Sequence, residues 1–265
     1  MDLQSQLRSP LRAKPLRLPG QSVQEAIEAR LLGTFFPLFV CSIFLTWIAA
    51  SEWLAVWRHI PRMPWLYTAL AVSAMATSFG HYWLGRHKIA QLRLGRDGER
   101  AVGQFLEGLR VSGARVFHDI PGDGFNIDHA VLTTHGFYAI ETKTRTKPRQ
   151  REARVTLGED SVLVAGFAPD TNPIEQARAC ARWLAQLIEA GTGKRIPVRG
   201  VVVFPGWFVE PMSEAWKSVP DKPWVLEPKA LPEFIEHTGE RISEGDVALA
   251  AFHLSRYIRA EQARG

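Results

Sequence analysis

Two long stretches of this chain carry no charged side chain, and they constrain its first third more than any other feature. Leu31–Ala50 (LLGTFFPLFVCSIFLTWIAA) is twenty residues without Asp, Glu, Lys or Arg. As a helix it would be about 30 Å long, the thickness of a bilayer's hydrocarbon core. Met63–Gly85 is a second such run, with His81 as its only histidine. Between them Ser51–Arg62 is short enough for a tight return loop. Trp47, Trp53, Trp57, Trp65 and Tyr67 gather at one end of the pair, and Tyr82 and Trp83 at the other. Amphipathic rings settle at those depths on a membrane surface. Both runs are apolar around the full helical circumference, which disfavours a hairpin buried in a soluble core. The first run begins thirty residues in and a second follows it, which disfavours a cleaved signal peptide. Two transmembrane helices are therefore predicted, meeting the lipid bilayer through residues 31–85.

Charge is distributed to match. Residues 1–88 hold nine Lys/Arg against four Asp/Glu, whereas residues 89–265 hold 23 of each sign. The net charge of +5 thus sits beside the apolar runs, and it excludes reading the basic isoelectric point as a nucleic-acid footprint spread over the chain. Arg8, Arg12, Lys14, Arg17 and Arg30 precede the first run; Arg86, Lys88, Arg93 and Arg96 follow the second; the loop has only Arg58 and Arg62. Positive residues stay on the cytoplasmic side. The expected protein is integral to the cytoplasmic (inner) membrane, with both termini in the cytoplasm. Its parts are a basic segment 1–30 with a short surface helix at Gln21–Arg30, a hairpin 31–88, and a cytoplasmic domain 89–265. Cys41 and Cys180 are too few for a disulfide framework or zinc cluster and read as two buried thiols in a reducing compartment.

The distal domain alternates helical and strand patterns, an α/β arrangement. A helix is predicted over Gly98–Arg110, strands over Ala114–Ile120, Ile127–Thr133 and Gly136–Thr142, and a small hairpin from Arg154–Leu157 and Ser161–Ala165. A helix capped by Asn172, with Pro173 in its first position, runs to about Ala190 and stops at Gly191. Val198–Phe204 suits a central strand buried on both faces. A short strand at Trp224–Leu226 and helices at Pro232–His237 and Glu244–Arg259 complete the domain.

Its chemistry lies in the early strands. Glu141 and Lys143 are two apart on one strand and share a face, and Asp128 on the partner strand can lie alongside. Two carboxylates and a lysine suit metal-assisted phosphodiester cleavage. The carboxylates hold a hard cation, Mg²⁺ or Mn²⁺, and the lysine orients water or offsets charge. Alone the spacing says little, since exposed strands often alternate Glu and Lys as charge pairs.

Its neighbours add weight: G95-R-D-G-E99, N126-I-D128-H, G136-F-Y-A-I-E141-T-K143 and N172-P-x-x-Q176 occur in this order. Over about residues 92–205 the chain resembles the nuclease-related domain (NERD) family, of the PD-(D/E)xK restriction-endonuclease-like superfold. The resemblance implies a mixed sheet flanked by helices, preceded here by the two transmembrane helices. It implies nuclease activity with Glu99, Asp128, Glu141 and Lys143 as the active site, Gln176 assisting, and Asp128, Glu141 and Glu99 as metal ligands. The implied partner is nucleic acid, DNA ahead of RNA. No glycine closely follows Lys143, where relatives often have one; a basic run follows instead.

In that run Lys143, Arg145, Lys147, Arg149 and Arg151 recur at every second position. If extended, they would share the face of Glu141 and form a groove that follows a phosphate backbone; otherwise they are a solvated loop. His129, adjacent to Asp128, should face the opposite way in a structural hydrogen bond. Gly191–Lys194 reads as a helix cap and turn rather than a phosphate loop, and the aromatic segment Phe204–Phe208 as packing at the sheet rim. A nuclease-like domain that binds nucleic acid or a protein partner at the membrane without cutting is the second reading. A hairpin that is itself the functional element gains little, since neither run holds a charge to mark a pathway.

Overall fold

The second apolar run does not end where its apolar residues end. The computed structural model describes residues 16–58, 64–147, 153–158, 161–165, 167–213, 216–217, 219, 221–239 and 241–264. In it the second run, from Pro64 to Gly85, is not a span-length helix of its own. It begins helix α3, Pro64–Glu107, whose 44 residues continue through the charged stretch to the helix predicted at Gly98. The chain divides into two units, Ser22–Arg96 and the remainder.

In the first unit, α1 (Gln21–Arg30) leads through a π turn at Leu31–Phe35 into α2 (Phe36–Trp57). Pro37 accounts for the wide turn, because its ring has no N–H and crowds the carbonyl of Gly33. Ser51–Trp57, expected in the return loop, is helical, and residues 59–63 of that loop lie outside the described residues. Antiparallel contacts join α2 to α3. Trp53 Nε1 donates to Thr68 Oγ1 at 2.8 Å, the Ser42 and Ser78 hydroxyls meet at 2.7 Å, and Phe35 meets Tyr82 edge-on at 6.0 Å.

The two-span expectation is corrected in one respect. Among the described residues one helix, Gln21–Trp57, is long and apolar enough to cross a membrane, with a mean hydropathy of 2.1 in its most apolar stretch. Only 6% of that stretch is buried, unlike a soluble protein's core helix; a helix of this kind serves as a membrane anchor or a signal sequence. The second run is diluted by Thr68, Ser73, Thr77, Ser78 and His81. Cys41, expected to be buried, is exposed on α2, whereas Cys180 is buried.

The second unit is a mixed α/β domain. Strands β1 (Arg115–Pro121), β2 (Asn126–Leu132), β3 (Phe137–Thr142), β6 (Val198–Val203) and β8 (Trp224–Leu226) form a sheet in the order β1-β2-β3-β6-β8. The first three are antiparallel, and β6 and β8 add parallel to β3. A small sheet, β5-β4-β7, joins β4 (Arg154–Leu157), β5 (Val162–Val164) and β7 (Phe208–Val209). One core gathers Val102 and Leu106 of α3 with Val116, Val131, Ile140 and Val201. The other gathers Ala130, Leu132, Phe137 and Ala139 with Cys180 and Leu184 of α4 (Asn172–Thr192) and Leu254 and Ile258 of α6 (Glu244–Arg264). A short helix α5 spans Leu231–Glu236.

The strand assignments agree with the pattern, and β6 is the central strand its apolar run required. The ends of α4 differ. Thr171 precedes it and the Asp170 carboxylate accepts the Asn172 N–H at 3.0 Å, so Asn172 is the first helical residue rather than the cap. Its left-handed terminator is Gly193 (φ 70°), not Gly191.

Candidate active site

The site forms at the end of the sheet where β2 begins and β3 ends. Asp128 Oδ2 accepts the Thr142 N–H at 2.7 Å, which brings its carboxylate to the end of β3. The Lys143 N–H donates to Val203 O at 2.9 Å, so the chain stays extended one residue past β3. Glu141 and Lys143 therefore fall on one side, with Lys143 Nζ 2.8 Å from Glu141 Oε1. The same ammonium donates to Gln176 Oε1 on α4 at 2.7 Å.

Two glycines make these approaches feasible. A Cβ on Gly98 would lie 1.8 Å from Thr144 Oγ1, so α3 can pass the end of β3, and deliver Glu99 there, only with a hydrogen at that position. A Cβ on Gly200 of β6 would lie 2.6 Å from the Ala177 carbonyl oxygen, so Gly200 lets α4 close down on the sheet beside Gln176. Close backbone approach is a standard use of glycine.

The electrostatics are those of too many carboxylates in too little water. Burial pushes the Asp128 carboxyl well above its ordinary range; Glu141 and Glu99 add to this, and the Thr142 N–H and Lys143 oppose it. Glu99 is pushed up to about 7, first by burial and then by Asp119 and Glu141. Burial also raises Glu141, against the pull of Lys143. Glu141 Oε2 is buried without a partner. Charged groups held this way favour a cation or a proton. Among the described residues no three His, Cys, Asp or Glu side chains form a ready-made ligand group. Mg²⁺ does not require one, since it commonly uses one or two carboxylates and takes its other oxygens from water and phosphate. The donor set fits a hard cation of that kind.

Residues 94–205 match the family model of the nuclease-related domain. The chain carries a NERD domain. No curated protein and no solved structure matches the chain. The matched segment contains Glu99, Asp128, Glu141, Lys143 and Gln176, all of which the fold brings to one end of the sheet.

One acidic residue of this NERD domain escaped the sequence reading. Asp119 on β1 is buried, with a left-handed backbone (φ 49°), and it interrupts the β1–β2 pairing opposite Asp128. Arg17 Nε donates to its Oδ2 at 2.7 Å and Asn126 Nδ2 to its Oδ1 at 3.1 Å. An Asp inside an apolar strand was the only available signal; its strained backbone is visible only in three dimensions.

His129 does point away from the site. Its Nδ1 lies 2.8 Å from His118 Nδ1, and His118 Nε2 lies 2.7 Å from Glu107 Oε1 on α3. Burial lowers both imidazoles, His129 to about 3, so both are neutral at neutral pH. If His118 donates from Nε2, its Nδ1 accepts from His129, and the unpartnered His129 Nε2 carries no proton to satisfy. Cys180 is pushed up to about 12, by burial first and then by Glu141 and Asp128, which leaves it an unreactive thiol.

Of the basic row, Arg145 pairs with Asp170 at 3.0 Å, and Lys147 Nζ lies over Gly206, 3.7 Å from where its Cβ would be. Arg149 and Arg151 lie outside the described residues.

Proposed function

We propose that the NERD domain is a metal-dependent nuclease of the restriction-endonuclease-like type, hydrolysing phosphodiester bonds of DNA or RNA at a membrane. The observation that carries this reading is the crowding of half-buried Glu99 and Asp128 against buried Glu141, incompletely neutralised by the single ammonium of Lys143. A binding module has no use for carboxylates concentrated against a phosphate backbone. Asp128, Glu141 and Glu99 would hold Mg²⁺ or Mn²⁺, which when bound supplies charge stabilisation at the phosphoryl oxygen and acidifies water. The chain's own residues do the rest. Gln176 and Glu141 hold the Lys143 ammonium beside the carboxylates, where it can orient the attacking water and offset charge in the transition state.

The apolar helix Gln21–Trp57 is the anchor in this reading. The Lys/Arg cluster at Arg86, Lys88, Arg93 and Arg96 supports a cytoplasmic NERD domain. The test is cleavage of labelled DNA and RNA by full-length protein in Mg²⁺, Mn²⁺ or EDTA. Metal-dependent cleavage is expected; no cleavage under any metal condition leaves the non-cutting, nucleic-acid-binding reading in its place.

A further inference from the structure

The sequence places Phe204–Phe208 at the sheet rim as packing. That holds for Phe204 and Trp207, both buried, but Phe208 is 58% exposed. It stands on β7, paired in register with Arg154 of β4, and the Arg154 guanidinium carbon lies 5.4 Å from its ring centroid. On the other side of β4, the Ala165 N–H donates to Arg154 O at 2.9 Å, and the chain leaving β5 presents Phe167, 39% exposed. Arg145 lies over that ring at 5.3 Å. Two solvent-facing rings, each with a guanidinium over it, thus flank one end of the small sheet.

This surface is fastened to the catalytic strand. Arg145 is two residues beyond Lys143, and its carbonyl faces Trp207 Nε1 at 3.4 Å. Asp170 and Glu210 each hold one arginine, at 3.0 and 2.9 Å. A guanidinium has five donors, so a carboxylate contact does not by itself exhaust its capacity to meet a phosphate. Lys147 adds a cation beside the same turn. Cations that follow a backbone, with aromatic faces between them, are how unpaired nucleic acid is held, because every base has a face to stack and the contact does not read sequence. A paired duplex has its base faces already stacked and offers these rings nothing.

We infer that Phe208 with Arg154 and Phe167 with Arg145 form a base-stacking platform that takes an unpaired strand of the nucleic acid next to the carboxylate site. This rests on the nuclease reading for its substrate and narrows it to molecules with single-stranded segments.

The experiment measures fluorescence anisotropy of full-length protein in lipid nanodiscs, with EDTA present so that nothing is cut. The probes are a labelled oligodeoxythymidylate, its RNA counterpart and a labelled DNA duplex, over a range of salt. Phe208→Ala and Phe167→Ala should each weaken unpaired-strand binding on the order of 10-fold, with the salt slope unchanged, because stacking releases no counterions. Phe208→Trp should keep or tighten it. Arg154→Gln and Arg145→Gln should lower the slope. Phe252 on α6 is the control, an exposed ring with Arg256 over it at 5.9 Å but outside the small sheet, and Phe252→Ala should change nothing. The tighter-binding of the two oligonucleotides identifies the sugar, and either supports the platform. Wild-type affinity in both alanine variants, the result for a surface that serves a protein partner, overturns it. So does equal loss on duplex and unpaired strand. A parallel Mg²⁺ cleavage assay separates the two proposals: wild type that cuts while the alanine variants bind normally sinks the platform alone. Wild type that never cuts, with ring-dependent binding intact, sinks the nuclease alone.

Discussion

The α2–α3 hairpin and the end of the NERD sheet break the inside–outside rule in opposite senses. The hairpin exposes Phe36, Phe39, Ile43, Phe44, Trp47 and Phe79. The sheet end buries Glu141 and crowds Glu99 and Asp128 against it. Neither arrangement is stable in plain water. Large exposed apolar surfaces call for lipid or a partner, and crowded buried carboxylates for a cation or protons. Each region is thus incomplete in a way that names its missing environment. Changes that relieve the mismatch should improve solubility or stability while removing function.

The strongest break of that comparison is at the carboxylates. Asp128→Asn or Glu141→Gln should lower Mg²⁺-dependent cleavage by orders of magnitude while raising the metal-free melting temperature, because one repelling charge is gone. Lys143→Met should also abolish turnover but lower stability, since Glu141 loses its ammonium partner at 2.8 Å. Cleavage assays beside thermal melts in EDTA decide this. An Asp128→Asn variant that cuts normally removes Asp128 from the site.

How much of this was legible beforehand follows from the range of each signal. The strands and the shared side of Glu141 and Lys143 come from a period of two, a local property written in adjacent residues. The reach of α3 was missed because the helix was started at Gly98, where the amphipathic pattern begins; Gly98 is instead a contact glycine inside a longer helix, intelligible only once Thr144 is seen 46 positions away in sequence. Phe208 was misplaced for a similar reason. Its neighbours Phe204 and Trp207 are core, and only the pairing of β7 with β4 turns Phe208 outward. Hydropathy alone identified two apolar runs but weighted them alike, although the serines and threonines of the second are what it uses to bond α2.

At the hairpin, Phe39→Asp or Ile43→Asp should reverse the first mismatch. A carboxylate near the middle of a spanning helix costs about 2.5–3.5 kcal/mol of insertion free energy, so the carbonate-resistant membrane fraction should fall sharply. In water the same change would only improve solubility. Unchanged fractionation would mean that α2 does not lie in hydrocarbon.

The pH dependence of Glu99 gives a smaller, signed effect. Its folded value, about 7, is raised above the ordinary 4.5. A raised folded value means that the folded state holds the proton more tightly, so this contribution is present below about pH 4.5 and is lost as pH rises to about 7. Glu99→Gln should therefore match wild type in acid and become the more stable of the two near neutrality, by at most about 3 kcal/mol in EDTA. Saturating Mg²⁺ should shrink or invert the gap. The imidazoles run the other way, since lowered folded values cost stability as pH falls below about 6.5. They are common to both proteins and cancel in the difference. Urea midpoints from pH 4 to pH 8 suffice, and a difference curve flat with pH would show that Glu99 is not in the carboxylate field.

Gly98 tests whether the crowding is held by backbone packing rather than by side-chain charge. Alanine is the better helix former, and at an exposed helical site this exchange would stabilise by up to about 1 kcal/mol. Here the new Cβ would sit 1.8 Å from Thr144 Oγ1 and 2.9 Å from Thr144 Cβ, so the helix or the strand end must move. Overpacking of this kind costs about 1–3 kcal/mol, and the movement carries Glu99 away from Asp128 and Glu141. Gly98→Ala should therefore destabilise modestly, lower cleavage, and weaken the pH dependence assigned to Glu99. Thr144→Gly removes the obstructing atoms, so combining the two should recover part of the loss, a positive coupling that independent sites do not show. Gly95 is the matched control, because a Cβ there would meet nothing within 4 Å, and Gly95→Ala should be neutral or stabilising. If Gly98→Ala behaves like Gly95→Ala, then α3 does not press on the strand end, and the carboxylates are brought together by something other than that contact.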